Sequence, residues 1–235
     1  MRNTAKSNLH PDQRVLVWDL PLRLFHWGLA IAFVVSWITA EAGIEWADLH
    51  LYSGYSVLAL IAFRLIWGIV GTRHARFRNF IRGPRALIAG LGQLVTKTAP
   101  AAPGHSAVGG WASVVLILLM LCQAASGLFI TDDILFSGPY NGAVSSAVAD
   151  SLGSFHSFNF DILVIAVSAH LGVMLWYSLR KNHNLVAPMI TGRGRYALEQ
   201  DISSSDVLRA FICASVAAGL LGVLIMFAPE PEYFF

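Results

Sequence analysis

Apolar residues occur along this 235-residue chain in five long blocks that are separated by more polar segments. Four blocks contain no Asp, Glu, Lys or Arg, at residues 24–40, 108–131, 162–179 and 210–228, and a fifth at 49–71 contains only Arg64. A helix needs about 20 predominantly apolar residues to cross a bilayer, and each block is close to that length. The pattern therefore predicts an all-α integral membrane protein with five transmembrane helices.

The overall composition agrees with a membrane environment. Hydrophobic residues make up 56% of the chain and charged residues 13%, and the mean hydropathy is +0.60. Soluble domains of this length rarely reach such values. We expect no separate soluble domain.

Basic residues are confined to alternate loops, and this indicates the orientation because translocation disfavours Lys and Arg in short exported loops. Apart from Arg64, every basic residue lies in the N-terminal segment, the second loop or the fourth loop: Arg2, Lys6, Arg14, Arg23; Arg73, Arg76, Arg78, Arg82, Arg85, Lys97; Arg180, Lys181, Arg193, Arg195, Arg209. The opposite face carries only acidic charges: Glu41, Glu45, Asp48, Asp132, Asp133, Asp150, Glu230, Glu232. We expect a cytoplasmic N-terminus and a periplasmic C-terminus in a bacterial inner membrane. The arginines at 73–85 are explained by this topology and by anionic lipid, not by nucleic-acid binding.

This orientation divides the chain into five parts. They are a cytoplasmic segment at 1–23, a four-helix transmembrane domain at 24–180, a cytoplasmic linker at 181–207, a fifth transmembrane helix at 208–228 and a periplasmic tail at 229–235. The fifth helix and the tail either dock a partner or anchor the C-terminus. The outer loop at 131–155 is the longest, and its length suits a cap or a docking surface.

Four histidines lie in or beside the apolar blocks, where ionisable side chains are costly and usually functional. The orientation places His26 and His170 near the cytoplasmic side and His50 and His156 near the outer side. We call these the inner pair and the outer pair. His156 and His170 are fourteen residues apart, which corresponds to about 21 Å of helix and to directions roughly 40° apart, so both can face one bundle interior. The remaining histidines, His10, His74, His105 and His183, lie in polar loops and are expected to be exposed.

Two histidines at each of two depths are typical of stacked metal or haem sites. Zinc would require more ligands, and the two cysteines, Cys122 and Cys213, stand singly. Copper or a transported metal is not excluded. Haem b fits best, because the macrocycle supplies four nitrogens and the protein only two axial ones. No C-x-x-C-H motif is present, so c-type attachment is excluded.

Small residues near the histidines would allow a flat cofactor to lie between helices, although they are equally consistent with ordinary packing of membrane helices. They are Gly28, Gly54 and Gly172. Arg64 follows His50 by fourteen residues and should point to the same face at the level of the inner pair. There it could bind a haem propionate, or instead extend to the cytoplasmic interface.

Several motifs resemble those of the bacterial di-haem cytochromes b, a family that includes cytochrome b-561-type proteins and the b subunits of nickel-iron hydrogenases. They are VWDLPLRLFHW at 17–27, His50-x-x-x-Gly54, Arg64-x-x-Trp67-Gly68-x-x-Gly71, and NLVAPMITG at 184–192. The resemblance covers about residues 14–195. It implies a four-helix bundle with two haem b groups, the first helix pairing with the inner histidine of the fourth and the second helix with the outer one. Ser157 departs from the family, since many relatives carry an acidic residue there.

Two stacked haems would pass electrons across the membrane, and we expect transfer between the quinone pool and a periplasmic redox partner. Quinone binding is implied by the resemblance, whereas an outer face without Lys or Arg suits a partner with a basic patch, such as a c-type cytochrome. We expect an electron-transfer subunit of a respiratory oxidoreductase, not a stand-alone enzyme. The candidates for quinone binding near the inner pair are Trp18, Arg23, Arg64 and Trp67. For the two tryptophans, an aromatic belt at the membrane interface is the favoured alternative.

Three other functions remain open from the sequence. The chain could be a self-contained haem oxidoreductase that acts on quinone and on a small molecule such as superoxide or a ferric chelate. It could be a haem-free transporter that uses the histidines as a proton relay. It could also be a passive membrane anchor for a peripheral enzyme, whose function would survive substitution of the histidines.

Overall fold

The computed structural model describes residues 14–95, 104–132, 136–180, 184–195, 201–202 and 204–229. Besides two short 3₁₀ helices (Ile44–Trp46 and Asn141–Ala143), they form two strands and eight α-helices: β1 (Arg14–Leu16), α1 (Leu20–Ala42), α2 (Ala47–Val70), α3 (Phe77–Phe80), α4 (Pro84–Val95), α5 (Ala107–Gly127), α6 (Ser146–Arg180), α7 (Val186–Thr191), β2 (Arg193–Arg195) and α8 (Val207–Met226). Within the described part, α1, α2, α5, α6 and α8 are long and apolar enough to cross a membrane. The prediction of five transmembrane helices is therefore confirmed.

Four of the long helices form a bundle in chain order. Helix α1 packs against α2, α2 against α5, and α5 against α6, while α8 packs on the outside of α2 and touches α1. Apolar side chains from all four bundle helices meet in its middle: Ala32, Val57, Ile61, Ile117, Met120 and Leu163. Small residues of α8, Ala210, Cys213 and Ala217, join a second apolar cluster with α1 and α2.

Helix α1 begins before the first charge-free block does. Asp19 is its N-cap and accepts a hydrogen bond from the backbone N–H of Leu22 at 2.7 Å, and Pro21 occupies the first turn, where proline is favoured. Arg23 is accommodated inside the helix because its Nη1 donates to the carbonyl oxygen of Ile190 at 2.5 Å. A criterion based on charge alone therefore places this end of the helix too late.

Helix α6 is much longer than the apolar block that predicted it. It has 35 residues and starts at Ser146, so the outer loop expected at 131–155 is shorter than predicted and its last part, from Ser146 onwards, is helical. The charge-free criterion marked only the apolar part, because Asp150 and Asp161 interrupt the block without interrupting the helix. At 1.5 Å per residue, α6 is roughly 52 Å long, so it exceeds the hydrocarbon core of a bilayer. His156 and His170 consequently lie on one continuous helix.

The basic end of the bundle, where α1 begins and α2 ends, is closed by the segment that follows α6. Strand β2 pairs antiparallel with β1, with Val15 opposite Gly194. The carbonyl oxygen of Gly192 accepts hydrogen bonds from the backbone N–H groups of Val17 and Trp18. Gly192 has φ +80°, and an added Cβ would lie 2.8 Å from the carbonyl oxygen of Trp18. A side chain is excluded there, so the motif at 184–192 serves to fold this segment back onto the start of α1.

Candidate functional site

A slot lies between α6 and the α1–α2 side of the bundle. Among the described elements, α6 packs extensively only against α5, so its backbone stays apart from α1 and α2. Rings bridge the slot instead: Phe160 of α6 lies 6.4 Å from Phe33 and 5.5 Å from Trp37 of α1, measured between ring centroids. Both histidine pairs also span it. The bundle thus leaves room for flat groups at this one boundary.

The outer pair joins α2 to α6. The ring centroids of His50 and His156 are 6.4 Å apart, and their planes are inclined by 67°. Nδ1 of His50 lies 2.9 Å from the carbonyl oxygen of Ser36. A carbonyl oxygen can only accept, so this Nδ1 carries the hydrogen and donates. Nε2 of His50 is then unprotonated and can bind a metal.

His156 is oriented in the same way by a side chain of α5. Its Nδ1 lies 3.1 Å from Oγ of Ser126. That hydroxyl is 2.8 Å from the carbonyl oxygen of Cys122, to which it donates, so its oxygen is available to accept the hydrogen on Nδ1 of His156. Gly127 makes room for the ring, because a Cβ there would lie 3.1 Å from Cε1 of His156. Both rings of the outer pair therefore have Nε2 free as a ligand atom.

The separation of the rings matches the span of a metal held from two sides. A bond from a metal to an imidazole nitrogen is about 2 Å long, and the nitrogen lies about 1 Å from the ring centroid. Two rings on opposite sides of one ion then have centroids roughly 6 Å apart. The observed 6.4 Å for the outer pair and 6.5 Å for the inner pair agree with this value.

A cavity of about 360 Å³ opens beside the outer pair. Its walls include the aromatic rings Phe33, Trp37 and Phe160 and the two carboxylates Glu41 and Asp161. Gly54 of α2 also lines it, and a Cβ at that position would meet no atom within 4 Å. The cavity can therefore accept a flat, mostly apolar group at the level of His50 and His156.

The inner pair joins α1 to α6. The ring centroids of His26 and His170 are 6.5 Å apart, with the planes inclined by 48°. Nδ1 of His26 is buried and has no hydrogen-bond partner among the described residues, unlike the two rings of the outer pair. The structure thus brings together the same histidines that we paired from their predicted depth in the membrane. Their role as ligands remains a prediction.

Polar groups gather around Asp19 at the basic end, a short way from the inner pair. Asp19 is fully buried and, besides capping α1, accepts hydrogen bonds from Nε1 of Trp67 at 3.2 Å and from the hydroxyl of Thr72. Arg64 is 2% exposed, and its guanidinium lies against Phe77, with Phe25 and Phe80 nearby. Arg64 therefore does not extend to the cytoplasmic interface, which was the competing account of this residue.

The four candidates for quinone binding have different surroundings. Trp67 is fully buried and bound to Asp19, and Trp18 is also buried, so the expectation of an aromatic belt at the interface is wrong for both. Trp67 instead joins the end of α2 to the start of α1. Arg23 is partly buried, and its Nη1 is bound to the 184–192 motif. Trp18 and Arg23 flank the segment that leads into His26.

Sequence reasoning missed several residues that shape these sites. His105 was expected to be exposed, but its ring lies 4.3 Å from Phe80 and 4.8 Å from Trp18, between centroids, and its Nδ1 is buried. The contacts of Ser36 and Ser126 with the histidines were not visible either, because they join helices that are distant in sequence. Gly28 and Gly172 have no close contact that would show a role: a Cβ at Gly28 would meet only Leu60 at 3.5 Å, and one at Gly172 no atom within 4 Å.

The donor set limits the kind of metal group that can bind. No cluster of three or more His, Cys, Asp or Glu side chains that could hold an ion occurs in the part of the chain that the structure describes. A bare transition metal would be left with two ligands at either pair, which is too few. A group that brings its own in-plane nitrogens needs only the two imidazoles.

Comparison with known protein families gives a match over most of the chain. The profile of a family described as prokaryotic cytochrome b561 matches residues 17–192. This range contains both histidine pairs and the four bundle helices and ends before α8. No curated protein and no solved structure matches the chain.

Proposed function

The chain belongs to the prokaryotic cytochrome b561 family, and from this premise we propose that it passes electrons across a bacterial membrane between the quinone pool and a periplasmic redox partner. The family supports the coarser statement, a transmembrane b-type cytochrome. The arrangement of the histidines at two levels supports the proposal that electrons pass from one face of the membrane to the other. The single observation that carries the proposal is that both pairs have the ring separation of a bis-histidine iron site.

We assign one haem b to each pair, with His26 and His170 as the ligands of one and His50 and His156 as the ligands of the other. Bound haem supplies a one-electron iron couple. The residues of this chain do the rest. The carbonyl of Ser36 and the hydroxyl of Ser126 hold Nε2 of His50 and His156 unprotonated and fix the planes of their rings.

Aromatic and aliphatic side chains contribute much of the region between the two levels. Phe33 follows His26 by about two helical turns, and Phe160 follows His156 by about one turn towards His170. These rings face each other across the slot, and buried Leu163 lies one turn beyond Phe160. With haem bound, these side chains would lower the local dielectric between the levels, so that an electron could cross without an accompanying proton.

The orientation and the partner follow from charge. The positive-inside rule places the basic end at the cytoplasm, so the outer pair lies near the periplasm. On that side Glu41, Glu45 and Asp48 are exposed around the connection between α1 and α2. An acidic surface of this kind would attract the basic docking patch of a c-type cytochrome and raise the association rate. Quinone would bind at the basic end, next to Trp18 and Arg23.

A self-contained oxidoreductase at the outer cavity is disfavoured for anionic substrates. Glu41 and Asp161 place two carboxylates in the cavity walls. Their charge would repel superoxide and most ferric chelates. The haem-free transporter and the passive anchor are left as outcomes of the experiments.

Reconstituted vesicles test the proposed path. Vesicles that contain the chain and a reduced membrane quinol should reduce an external c-type cytochrome, whereas His170→Ala and His156→Ala should each abolish the reaction. Leu171→Ala is the matched control, because Leu171 neighbours His170 but is 61% exposed. Quinol-dependent reduction that survives the loss of either pair would refute the path. Oxidation of quinol by a small oxidant alone, at the same rate, would favour the self-contained enzyme.

A further inference from the structure

Four buried side-chain nitrogens in the described part of the chain have no hydrogen-bond partner, and all four lie at the basic end around the inner pair. They are Nε of Arg23, Nδ1 of His26, Nη1 of Arg64 and Nδ1 of His105. Native proteins leave few buried polar atoms unpaired, and each such atom costs free energy. Such a group of atoms in one place indicates that a polar group is required there.

Of these four residues, Arg64 is a candidate only from its position in the sequence, and His105 has no role so far. Arg23 is already bound through its Nη1 to Ile190, and His26 is a proposed ligand. Arg64 is held among three phenylalanine rings, and its charge acts on Asp19 without a direct ion pair in the described residues. The oxygens of Asp19 are taken by Leu22, Trp67 and Thr72. A buried guanidinium in this position lacks an anion.

His105 and Arg64 both contact the ring of Phe80, and the charge of Arg64 acts on His105. Phe80 is 4.3 Å from the ring of His105 and 5.8 Å from the guanidinium carbon of Arg64. Burial, followed by the positive charge of Arg64, lowers the pKa of His105 to about 3. The imidazole is therefore neutral at physiological pH and has one N–H to donate. A cation and a neutral N–H donor side by side are typical of a site for a carboxylate.

We propose that Arg64 and His105 together bind one carboxylate beside the inner histidine pair. The proposal rests on the proposed function, because haem b at this pair would bring propionate carboxylates to the basic end. A free carboxylate anion has the same chemistry and is the other possible source. Either way, His105 acts as a positioning residue in the loop before α5, while His26 and His170 bind the iron.

The midpoint potential of the inner haem tests the site. This haem is identified as the component that His26→Ala removes from a redox titration of the full chain. His105→Ala should lower its potential, by about tenfold in the equilibrium constant of reduction, because the carboxylate loses a donor and its charge favours oxidised iron. His105→Gln restores an N–H donor and should recover most of the change. Trp111→Phe, which removes a hydrogen bond to Arg82 at the same end, is the control and should leave the potential unchanged.

Infrared difference spectra distinguish the two sources of the carboxylate. With haem that carries ¹³C at its propionate carboxyls, His105→Ala should shift a labelled band if the carboxylate is a propionate. A potential that depends on added acetate in the wild type, and not in His105→Ala, would identify a free anion instead. Two bound haems with an unmoved inner potential would overturn the site and leave the proposed function standing. Absence of haem from the wild-type chain would overturn both.

Discussion

At the scale of single residues, the two histidine pairs differ in how their rings are held. Each ring of the outer pair donates from Nδ1 to a neighbour, Ser36 or Ser126. In the inner pair, Nδ1 of His26 has no partner among the described residues. A hydrogen bond at Nδ1 fixes the tautomer and makes the other nitrogen a better ligand. We therefore expect the two haems to differ in affinity, with the outer one held more tightly by its ligands.

Ser126→Ala should weaken the outer haem alone. The substitution removes the acceptor of the Nδ1 hydrogen of His156, and loss of such partners typically costs about tenfold or more in metal affinity. The rate of haem loss to an excess of a haem-scavenging protein measures this. Ser113→Ala is the matched control, since Ser113 lies on the same helix and donates to its own backbone at Gly109. Equal haem loss in the two variants would show that Ser126 does not support His156.

At the scale of elements, Asp19 joins three parts of the basic end. It caps α1, binds Trp67 near the end of α2 and binds Thr72 in the following loop. Asp19→Ala leaves these donors buried without a partner, so it should lower the free energy of unfolding by roughly 2–4 kcal/mol. Unfolding in a denaturing detergent, followed by helical circular dichroism, gives the difference.

Asp19→Asn should be much milder and should change the pH dependence. Burial is the main cause that raises the pKa of Asp19 above its ordinary value of 3.8, against hydrogen bonds from Thr72, Leu22 and Trp67 that lower it. The folded state then binds the proton more tightly, so stability falls as the pH rises from about 4 through the raised pKa. The amide mimics the protonated acid and should remove this fall. A loss of stability in Asp19→Asn as large as that in Asp19→Ala would contradict the raised pKa of Asp19.

Helix α8 stabilises the bundle without contributing to the histidine pairs. It covers α2 with small residues, and Nη1 of Arg209 donates to the carbonyl oxygen of Val70 at the end of α2. On the other side, the hydroxyl of Tyr140 donates to the carbonyl oxygen of Leu224 at 2.6 Å. The family match also ends before this helix.

A chain that ends at residue 195 should therefore keep both haems but melt earlier, by about 5 °C. The haem-to-protein ratio and the thermal midpoint in detergent measure the two effects. A shorter truncation that removes only 230–235 serves as the control. Loss of either haem from the longer truncation would show that α8 is part of the cofactor sites.

The sequence predicted the number of long helices and the partners of each histidine, because both depend on regular spacing along the chain. A segment of about 20 residues without charged side chains indicates a membrane-spanning helix, and residues fourteen positions apart on a helix lie on nearly the same face. Contacts between distant segments have no such local signal. The helical start of α6 at Ser146, the burial of His105 under Phe80 and the bond from Trp67 to Asp19 depend on packing, and sequence periodicity could not show them.

At the scale of the whole molecule, the two ends of the bundle differ in charge. The basic residues lie at the end that carries the inner pair, and exposed carboxylates lie at the end that carries the outer pair. A slot along α6 connects the two levels. We infer a path that begins at a membrane quinol near the basic end and finishes at an acidic surface for a partner protein.

The most direct test of this account is a count of haem per chain in the four single histidine variants. Purified wild-type protein should give two haems b in a pyridine haemochrome assay, with the matching reduced-minus-oxidised spectrum. His26→Ala and His170→Ala should remove one spectral component, and His50→Ala and His156→Ala the other. A colourless wild-type chain, or haem that survives all four substitutions, would contradict the di-haem account and return the transporter and the anchor as explanations.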